Sequence, residues 1–484
     1  MKLKQLHEGK AERAAVDFLS QLIRKSPYKG KVYLAGGYVR DELLGSEPKD
    51  IDLVVELPDG GIKFAEWVTK KLGIYKRGSN PVIYPKFGTA KFEFKGQEHK
   101  GESLDGIDIE VVMTRSEEYT RGSRKPDVKP GTLKQDVERR DFTVNSLLKD
   151  LTTGEIKDLT GQGRTDLKKG VVRTPLNPDV IFSEDPLRML RAIRFTSKYG
   201  WDLPLFMIKA IKKNAMKIGS ISSERVRDEL DKMLVTKRPK QAIRLMKVTG
   251  LLKHVMPELN DLSGVTQNKH HDQNAFDHSM TVLEKVPPVL TKRLGALMHD
   301  IGKKATRSVV DSEVHFYRHE EVGAEIAKAI MKRLRYPNDV IDKVAKSIEN
   351  HMRLKTAGPE GQDISDKALR KLQRQMGDHL EDTLDIMDAD NRSHAKDSKM
   401  DNQITGIRKR LGGLNLPKGD DKIALPIDGK DLIEMGFKPG PEFKKILAHI
   451  QDEVDENPEL TKAQAIEIVN NKFVKVEMKL TNLR

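Results

Sequence analysis

Two acids one residue apart, Asp50 and Asp52, open the apolar run Leu53-Val54-Val55. On a strand, residues i and i+2 face the same way, so the two carboxylates lie side by side and can share hard divalent cations. A pair of such cations activates an attacking hydroxyl and steadies a departing pyrophosphate. A solvated strand start is the plainer reading, yet it sets two like charges against an apolar strand for no gain. Glu110 in IDIEVVMTR offers a third carboxylate, with Asp108 as its same-face neighbour, and the pattern leaves the choice between them open.

Other groups nearby suit a nucleotide. Gly36 and Gly37 end the strand pattern KVYLAGG and open a helix with Arg40 a turn further in, so backbone N–H groups and the positive helix end can meet a phosphate. In ERRDFTVNSLLKD, residues 138–150, Arg139 and Arg140 precede Asp141, Asn145 and an expected apolar helix. Their forked guanidinium groups fit triphosphate or ribose oxygens; the alternative is a helix start capped by Asp141. In SEDPLRMLRAIRF, residues 183–195, helical spacing gathers Asp185, Arg188, Arg191 and Ala192 on one side and Leu187, Leu190 and Ile193 on the other. Cytosine and adenine carry an amino donor beside a ring-nitrogen acceptor, and guanine and uracil reverse that order. An accepting Asp with a donating Arg therefore selects C and A without a nucleic-acid template. A plain surface ion pair is the bland alternative.

A second constellation holds His278, His299-Asp300, His315, His319, His351 and Asp390. Imidazole with carboxylate suits Mg²⁺, Mn²⁺, Ni²⁺ or Fe²⁺. The His-Asp pair follows the apolar helical pattern of Leu294, Leu297 and Met298, which places it at an inner helix end. The chain has no cysteine, so thiolate sites, disulfides and Cys nucleophiles are excluded.

The elements that must position these groups divide in two. An amphipathic helix is expected over 3–25, stopped by Ser26-Pro27, then strands at 31–37, 51–57, 86–94 and 107–113, with a hairpin loop at 95–106. From about 180 the periodicity is helical, with Ser183 and Ser222 or Ser223 as caps and breaks near Gly200, Gly250 to Pro257, Gly358 to Gly361 and Gly412 to Pro426. A net charge of +14 over 484 residues favours a polyanionic partner, and nucleic acid is the commonest. No apolar run nears the roughly 20 residues of a membrane span, and the start lacks the uncharged core of a secretory signal. A cytoplasmic protein with no membrane partner is expected.

Taken in order, GGYVRD, DID, RRDFTVN and EDPLRMLRAIRF, with ISSERVRDEL at 221–230 and GLLKHVMPEL at 250–259, resemble the class II tRNA nucleotidyltransferase and bacterial poly(A) polymerase family of the polymerase-β superfamily. The resemblance implies an α+β chain: a polymerase-β-like nucleotidyltransferase head of small mixed sheet with helices, then an all-α neck, an HD domain and a tail. Its implied boundaries are an N-terminal helix at 1–30, head at 31–160, neck at 161–255, HD domain at 256–400 and tail at 401–484. It implies Gly36, Gly37 and Arg40 at the triphosphate, Mg²⁺ on Asp50 and Asp52, and Arg139, Arg140, Asp141 and Asn145 around sugar and phosphates; the apolar run after Glu110 slightly favours it over Asp108 as the third acid. Asp185 and Arg188 would read the base, Arg191 and Arg194 assist with phosphate, and Glu224 and Arg225 brace the helices. The implied reaction adds C and A to the 3′ end of tRNA from CTP and ATP. A poly(A) polymerase and a CC-only or A-only enzyme are the rivals within that chemistry.

The histidine-rich segment resembles the HD phosphohydrolase domain of some bacterial CCA-adding enzymes. This implies His278, His299, Asp300 and Asp390 as metal ligands, with His319 and His351 as accessory positions, holding Ni²⁺, Mn²⁺, Mg²⁺ or Fe²⁺. The implied activity is phosphodiesterase or phosphatase action on 2′,3′-cyclic or terminal phosphates; a degraded domain kept as an RNA-binding scaffold is the alternative. LPIDGKDLIEMGFKPGPEFKKILAHIQDE at 425–453 resembles the tail of the same enzymes, with Lys438, Lys444 and Lys445 as candidate RNA-backbone contacts. From another class, the chain could be an HD hydrolase with a head reduced to RNA binding, or an RNA-binding scaffold with neither activity.

Overall fold

Seven strands build one mixed sheet in the computed structural model, which describes residues 9–77, 80–118, 127–267, 273–395, 400–414 and 425–474. They are β1 (Val32–Leu34), β2 (Ile51–Val55), β3 (Val82–Tyr84), β4 (Thr89–Glu93), β5 (Asp108–Met113), β6 (Leu148–Asp150) and β7 (Ile156–Lys157), in spatial order β7-β6-β1-β2-β5-β4-β3. Only β2 and β5 run parallel, with Asp52 directly across from Glu110. Leu53 and Val55 turn to the helix Gly60–Lys71, whose Phe64, Ala65 and Val68 are buried. That helix comes so close that a Cβ on Gly61 would lie 2.4 Å from the Gly88 carbonyl oxygen and 2.6 Å from that of Val111, so only glycine fits. Val54, on the other face, packs with Tyr33, Ala35, Leu133, Val137 and Leu148. Asp52 shares that second face by the two-residue period.

The chain divides into two compact units, with the boundary between Val255 and Met256. The first continues from the sheet into helices Pro178–Glu184, Leu187–Tyr199, Leu205–Asn214, Ser223–Leu234 and Pro239–Val248. The second is helical apart from an antiparallel hairpin, Arg307–Val310 with Glu313–Phe316. Its core includes Val282, Val286, Ala296, Ile386 and Ala389, and a separate cluster of Leu432, Ile446, Ile450 and Val454 lies towards its end. Among the described residues no helix is long and apolar enough to cross a membrane.

Several local expectations are corrected. Pro85–Phe87 is a 3-10 turn and the strand starts only at Thr89, so 86–94 is not one strand. The apolar helix expected after Asn145 is a 3-10 turn, Thr143–Asn145, followed by β6. Leu147 and Leu148 are too short a run to show which period they follow, and pairing with β1 decides it. Ser183 caps nothing, since it lies inside a helix with its hydroxyl donating to the Asp179 carbonyl at 2.6 Å. Asp185 sits between two helices in extended conformation, as the following Pro186 disfavours helical backbone in the residue before it. The first helix runs Lys10–Ile23, while Leu3 and Leu6 of its expected face lie outside the described residues, as do 119–126 and 415–424.

Candidate functional site

The first unit contains a cavity of about 590 Å³ lined by Asp50 and Asp52, by Gly36, Gly37 and Arg40, by Arg139, Arg140, Asp141 and Asn145, and by Asp185, Arg188, Arg191 and Arg194. The thirteen residues that the sequence put forward for the nucleotide and for the paired acids thus meet in one place, although the segments carrying them are spread over 159 positions from 36 to 194. Glu110 is absent from the lining, but β-sheet register sets it beside Asp52. Asp108 instead makes an exposed ion pair with Lys91 at 2.8 Å, at the rim of the sheet.

Gly36 turns the chain from β1 into the helix Gly37–Leu43 at φ 66°, ψ −130°, conformations that side chains rarely adopt, and a Cβ there would sit 3.4 Å from Asp52 Oδ2. Asp52 is partly buried. Burial first, then Glu110 and Asp50, push its carboxyl from the usual 3.8 up to about 6, and Arg140 offsets only part of this. A carboxylate so crowded with negative charge is a place where a cation is welcome. The metal-free fold therefore favours the protonated acid, and this contribution is present below the unfolded value and lost as pH rises through about 6. Added Mg²⁺ should raise the melting temperature more at pH 8 than at pH 5; a larger gain at pH 5 would remove Asp52 from cation binding.

The arginines are held from behind. Asp136, fully buried, accepts from Arg139 Nη2 at 2.6 Å and from Arg140 Nη2 at 3.0 Å. Burial, the largest influence on that acid, raises its pKa, yet Arg140 and Arg139 together outweigh it and leave the carboxyl below its ordinary value. Arg140 Nε is buried with no hydrogen-bond partner within the protein. Arg40 is buried too, donating to Asn145 Oδ1 at 2.6 Å and to both oxygens of Asp41 at 2.8 Å. Asp141 accepts from Arg191 Nε and Asn145 Nδ2, each at 2.9 Å, and Glu229 accepts from Arg194 at 2.6 Å. Replacing Asp136 with alanine leaves two guanidinium groups uncompensated, an expected loss of roughly 3 kcal/mol in urea denaturation, together with a higher nucleotide KM.

The side chains of Asp185 and Arg188 do not bond to each other, although the Arg188 backbone N–H donates to the Asp185 carbonyl at 3.0 Å. Asp185 accepts from the Leu187 N–H at 3.1 Å and from Arg225 at 2.9 Å, whereas Arg188 donates to Glu184 at 3.1 Å and to the Arg139 carbonyl at 2.8 Å. Asp136, Asp41 and Glu229 escaped the sequence reading. Asp136 stands three and four residues before the arginine pair, a helical spacing that could have flagged it; Glu229 is 35 residues from its partner, beyond any local signal. Glu224 is exposed, while Glu229 on the same helix bonds to Arg194.

In the second unit, His278, His299, Asp300, His319, His351 and Asp390 are all buried and close together. Asp300 joins two groups whose candidate ligand atoms lie within 4.8 Å of one another, His278-His299-Asp300 and Asp300-His319-His351. Asp390 accepts from His278 Nε2 at 2.8 Å. His299, His319 and His351 each set Nδ1 against the backbone carbonyl three residues earlier, at 2.9, 2.9 and 2.6 Å. Nδ1 thus carries the proton, and Nε2 is left as the ligand atom. His299 Nε2 is buried with no hydrogen-bond partner, which a metal ion would satisfy. Burial first, then His319 and His299, hold His351 well below the usual imidazole range, so it is neutral and able to ligate. Lys303 and Lys355 lie 2.7 Å from Asp300 and Asp390. His315 stands apart from the cluster, on the hairpin.

A family described as "Poly A polymerase head domain" matches residues 32–173, "Probable RNA and SrmB- binding site of polymerase A" matches 207–262 and "HD domain" matches 277–393. The chain is 30% identical over 449 residues to the CC-adding tRNA nucleotidyltransferase of Thermus thermophilus, an alignment covering 89% of this chain and 91% of that one. It is 31% identical over 303 residues to the mitochondrial CCA tRNA nucleotidyltransferase of Saccharomyces cerevisiae, where it spans only 55% of the relative's length and 59% of its own. The crystal structure of the Bacillus stearothermophilus CCA-adding enzyme in complex with CTP shares the fold at a TM-score of 0.65, with 23% identity over 96% of this chain and 98% of that one.

Proposed function

The chain belongs to the tRNA nucleotidyltransferase family, and from that premise we propose that it adds C and A to the 3′ end of tRNA, taking CTP and ATP as substrates. One observation carries the reading: the cavity that holds Asp50 and Asp52 also holds Asp185 and Arg188, so groups suited to phosphoryl transfer and groups suited to reading a base line the same space.

In the proposed reaction the terminal 3′-hydroxyl of the RNA releases its proton to water as its oxygen forms a bond to the α-phosphorus, the bond from that phosphorus to the bridging oxygen breaks, and pyrophosphate leaves with the electron pair. Asp50 and Asp52, with Glu110 as third carboxylate, would hold Mg²⁺, which when bound supplies charge neutralisation and an activated hydroxyl. Glu110 is preferred to Asp108 because it stands in register with Asp52 and Asp108 is spent on Lys91. Arg139 and Arg140, stiffened by Asp136, grip the phosphates. Arg40, Arg191 and Arg194 add positive potential, and Asn145 orders Arg40 and Asp141. Asp185 accepts the amino group of C or A and Arg188 donates to the neighbouring ring nitrogen, once Arg225 and Glu184 yield.

The decisive experiment incubates tRNA transcripts ending before, within and after CCA with each of the four nucleotides. Addition of C, C and A followed by arrest is the expected result, and long A tails would make the protein a poly(A) polymerase. Addition of C and C alone is the second reading, favoured by the Thermus relative that aligns over most of both chains and is named for CC addition.

For the second unit we propose a divalent-metal phosphohydrolase acting on 2′,3′-cyclic or terminal phosphates. His278, His299, Asp300 and Asp390 would hold the ion, with His319 and His351 alongside, and an imidazole-rich set favours Ni²⁺, Mn²⁺ or Fe²⁺ over Mg²⁺. Bound there, the metal supplies Lewis-acid polarisation of the phosphate and an activated water. The chain's own part is to present ligand atoms in fixed tautomers and to keep Lys303 and Lys355 at hand for phosphate oxygens.

A further inference from the structure

The sheet face that carries Asp52 changes character from one side of β2 to the other. Over β6, β1 and β2 it is closed, with Leu148, Tyr33 and Val54 buried together with Leu133 and Val137 of the helix Leu133–Glu138. Beyond β2 the same face opens. Register runs in one line from Asp52 to Glu110 on β5, Lys91 on β4 and Val82 on β3, and the two-residue period puts Tyr84 on that face as well. Glu110 and Lys91 are exposed, Val82 is 52% exposed and Tyr84 48%. Ala90 and Phe92, which alternate with Lys91, are buried on the opposite face. The hydrogen bond to Asp108 first, then Glu110 and the Tyr84 phenol, raise the pKa of the Lys91 ammonium, in keeping with their sharing one face.

The chemistry gives this open floor a direction. In-line displacement needs the attacking oxygen and the leaving pyrophosphate on opposite sides of the α-phosphorus. A Cβ on Gly36, just past β1, would lie 3.4 Å from Asp52 Oδ2 and 3.6 Å from Arg140 Nη1, so the guanidinium proposed to grip phosphates meets Asp52 from the β1 side. β5 flanks β2 on the other side and brings Glu110. The hydroxyl is left to arrive over β5, and the RNA strand behind it runs outward across β4 and β3. With strands about 4.8 Å apart, Lys91 lies roughly 10 Å and Val82 roughly 14 Å across the sheet from Asp52, a stretch that the nucleotides just behind the hydroxyl must cross. Charge chooses the path over that floor. One step along the strands from Lys91, Glu93 and Asp108 stand opposite each other and repel phosphate, whereas in the other direction Thr89 stands opposite Tyr84. An exposed aromatic ring is what an unpaired base stacks on.

We propose that Tyr84 is the platform for the acceptor end: a base of the single-stranded RNA 3′ end, just behind the attacking hydroxyl, stacks on its ring while the hydroxyl reaches Asp52 and Glu110. This role deepens the nucleotide-addition reading and rests on it for the direction of attack. Stacking is indifferent to base identity, so the platform holds the strand as it lengthens and leaves the choice of nucleotide to Asp185 and Arg188.

The test uses the full chain with Mg²⁺, CTP and a tRNA transcript ending before CCA. Tyr84→Ala should lower kcat/KM for the transcript about tenfold with KM for CTP unchanged, and Tyr84→Phe should restore the wild-type value. An alanine variant with unchanged kcat/KM for the transcript overturns the platform. So does an equal loss in Tyr84→Phe, or a matching rise in the KM for CTP, which marks a disturbed site rather than a lost stacking partner. Should the wild-type protein extend no transcript, binding of a short single-stranded RNA followed by fluorescence anisotropy separates the two ideas. Binding about tenfold weaker in Tyr84→Ala then keeps the platform while the addition reading falls; equal or absent binding overturns the platform as well.

Discussion

The double variant Asp50→Ala, Asp52→Ala is expected to lose nucleotide addition by at least about 10⁴-fold in a single-turnover assay on a tRNA transcript, since removing the cation site forfeits stabilisation of both the attacking and the leaving oxygen. Binding of tRNA should survive, because it depends on phosphate contacts elsewhere. A companion variant separates chemistry from scaffolding. Ionisation of Asp52 is held back by burial, Glu110 and Asp50, so Asp52→Asn relieves the metal-free fold of that burden at pH 8. It should melt at a higher temperature than the wild type and yet be inactive. A structural carboxylate would behave in the opposite way, with stability falling along with activity, and such a result would move the catalytic cation away from β2.

Asp300→Asn is expected to abolish phosphate-ester hydrolysis and to weaken Mn²⁺ binding at least about 100-fold, leaving nucleotide addition at the wild-type rate. Asp300 is common to both candidate ligand groups, and one change therefore disables both. It also takes from Lys303 a carboxylate 2.7 Å away, so the metal-free variant should melt earlier. Calorimetry with Mn²⁺, hydrolysis of 2′,3′-cyclic AMP and the transcript assay are to be run on one preparation. If nucleotide addition collapses together with hydrolysis, the two chemistries are not separable and the assignment of a second centre fails.

Much of the fold could be read from local pattern. The β-branched run after Asp52 shows a strand, and its two-residue period places Asp50 and Asp52 together without knowledge of any neighbour. Long helical periodicity likewise marks the region beyond 180. The same reasoning could not choose between Asp108 and Glu110, which share one face; only the register of β5 against β2, a pairing across 58 residues, sets Glu110 opposite Asp52. Leu147-Leu148 was legible as apolar and no more, because two residues fit either period. The hairpin at 307–316 was legible in principle, with Val309-Val310 and a turn-prone Asp-Ser, but its histidine drew attention as a metal ligand instead. Counter-ions such as Glu229 are chosen by tertiary packing and leave no trace in spacing.

The 2.8 Å bond from Arg188 to the carbonyl of Arg139 joins two segments 49 residues apart. One carries the guanidinium proposed to inspect the base, the other a guanidinium proposed to grip the triphosphate. If a mismatched base displaces the first, the backbone of the second is pulled along, and the α-phosphorus drifts out of line with the attacking oxygen. Fidelity would then appear as slow bond formation on wrong nucleotides that still bind, a kinetic checkpoint built from a single peptide oxygen.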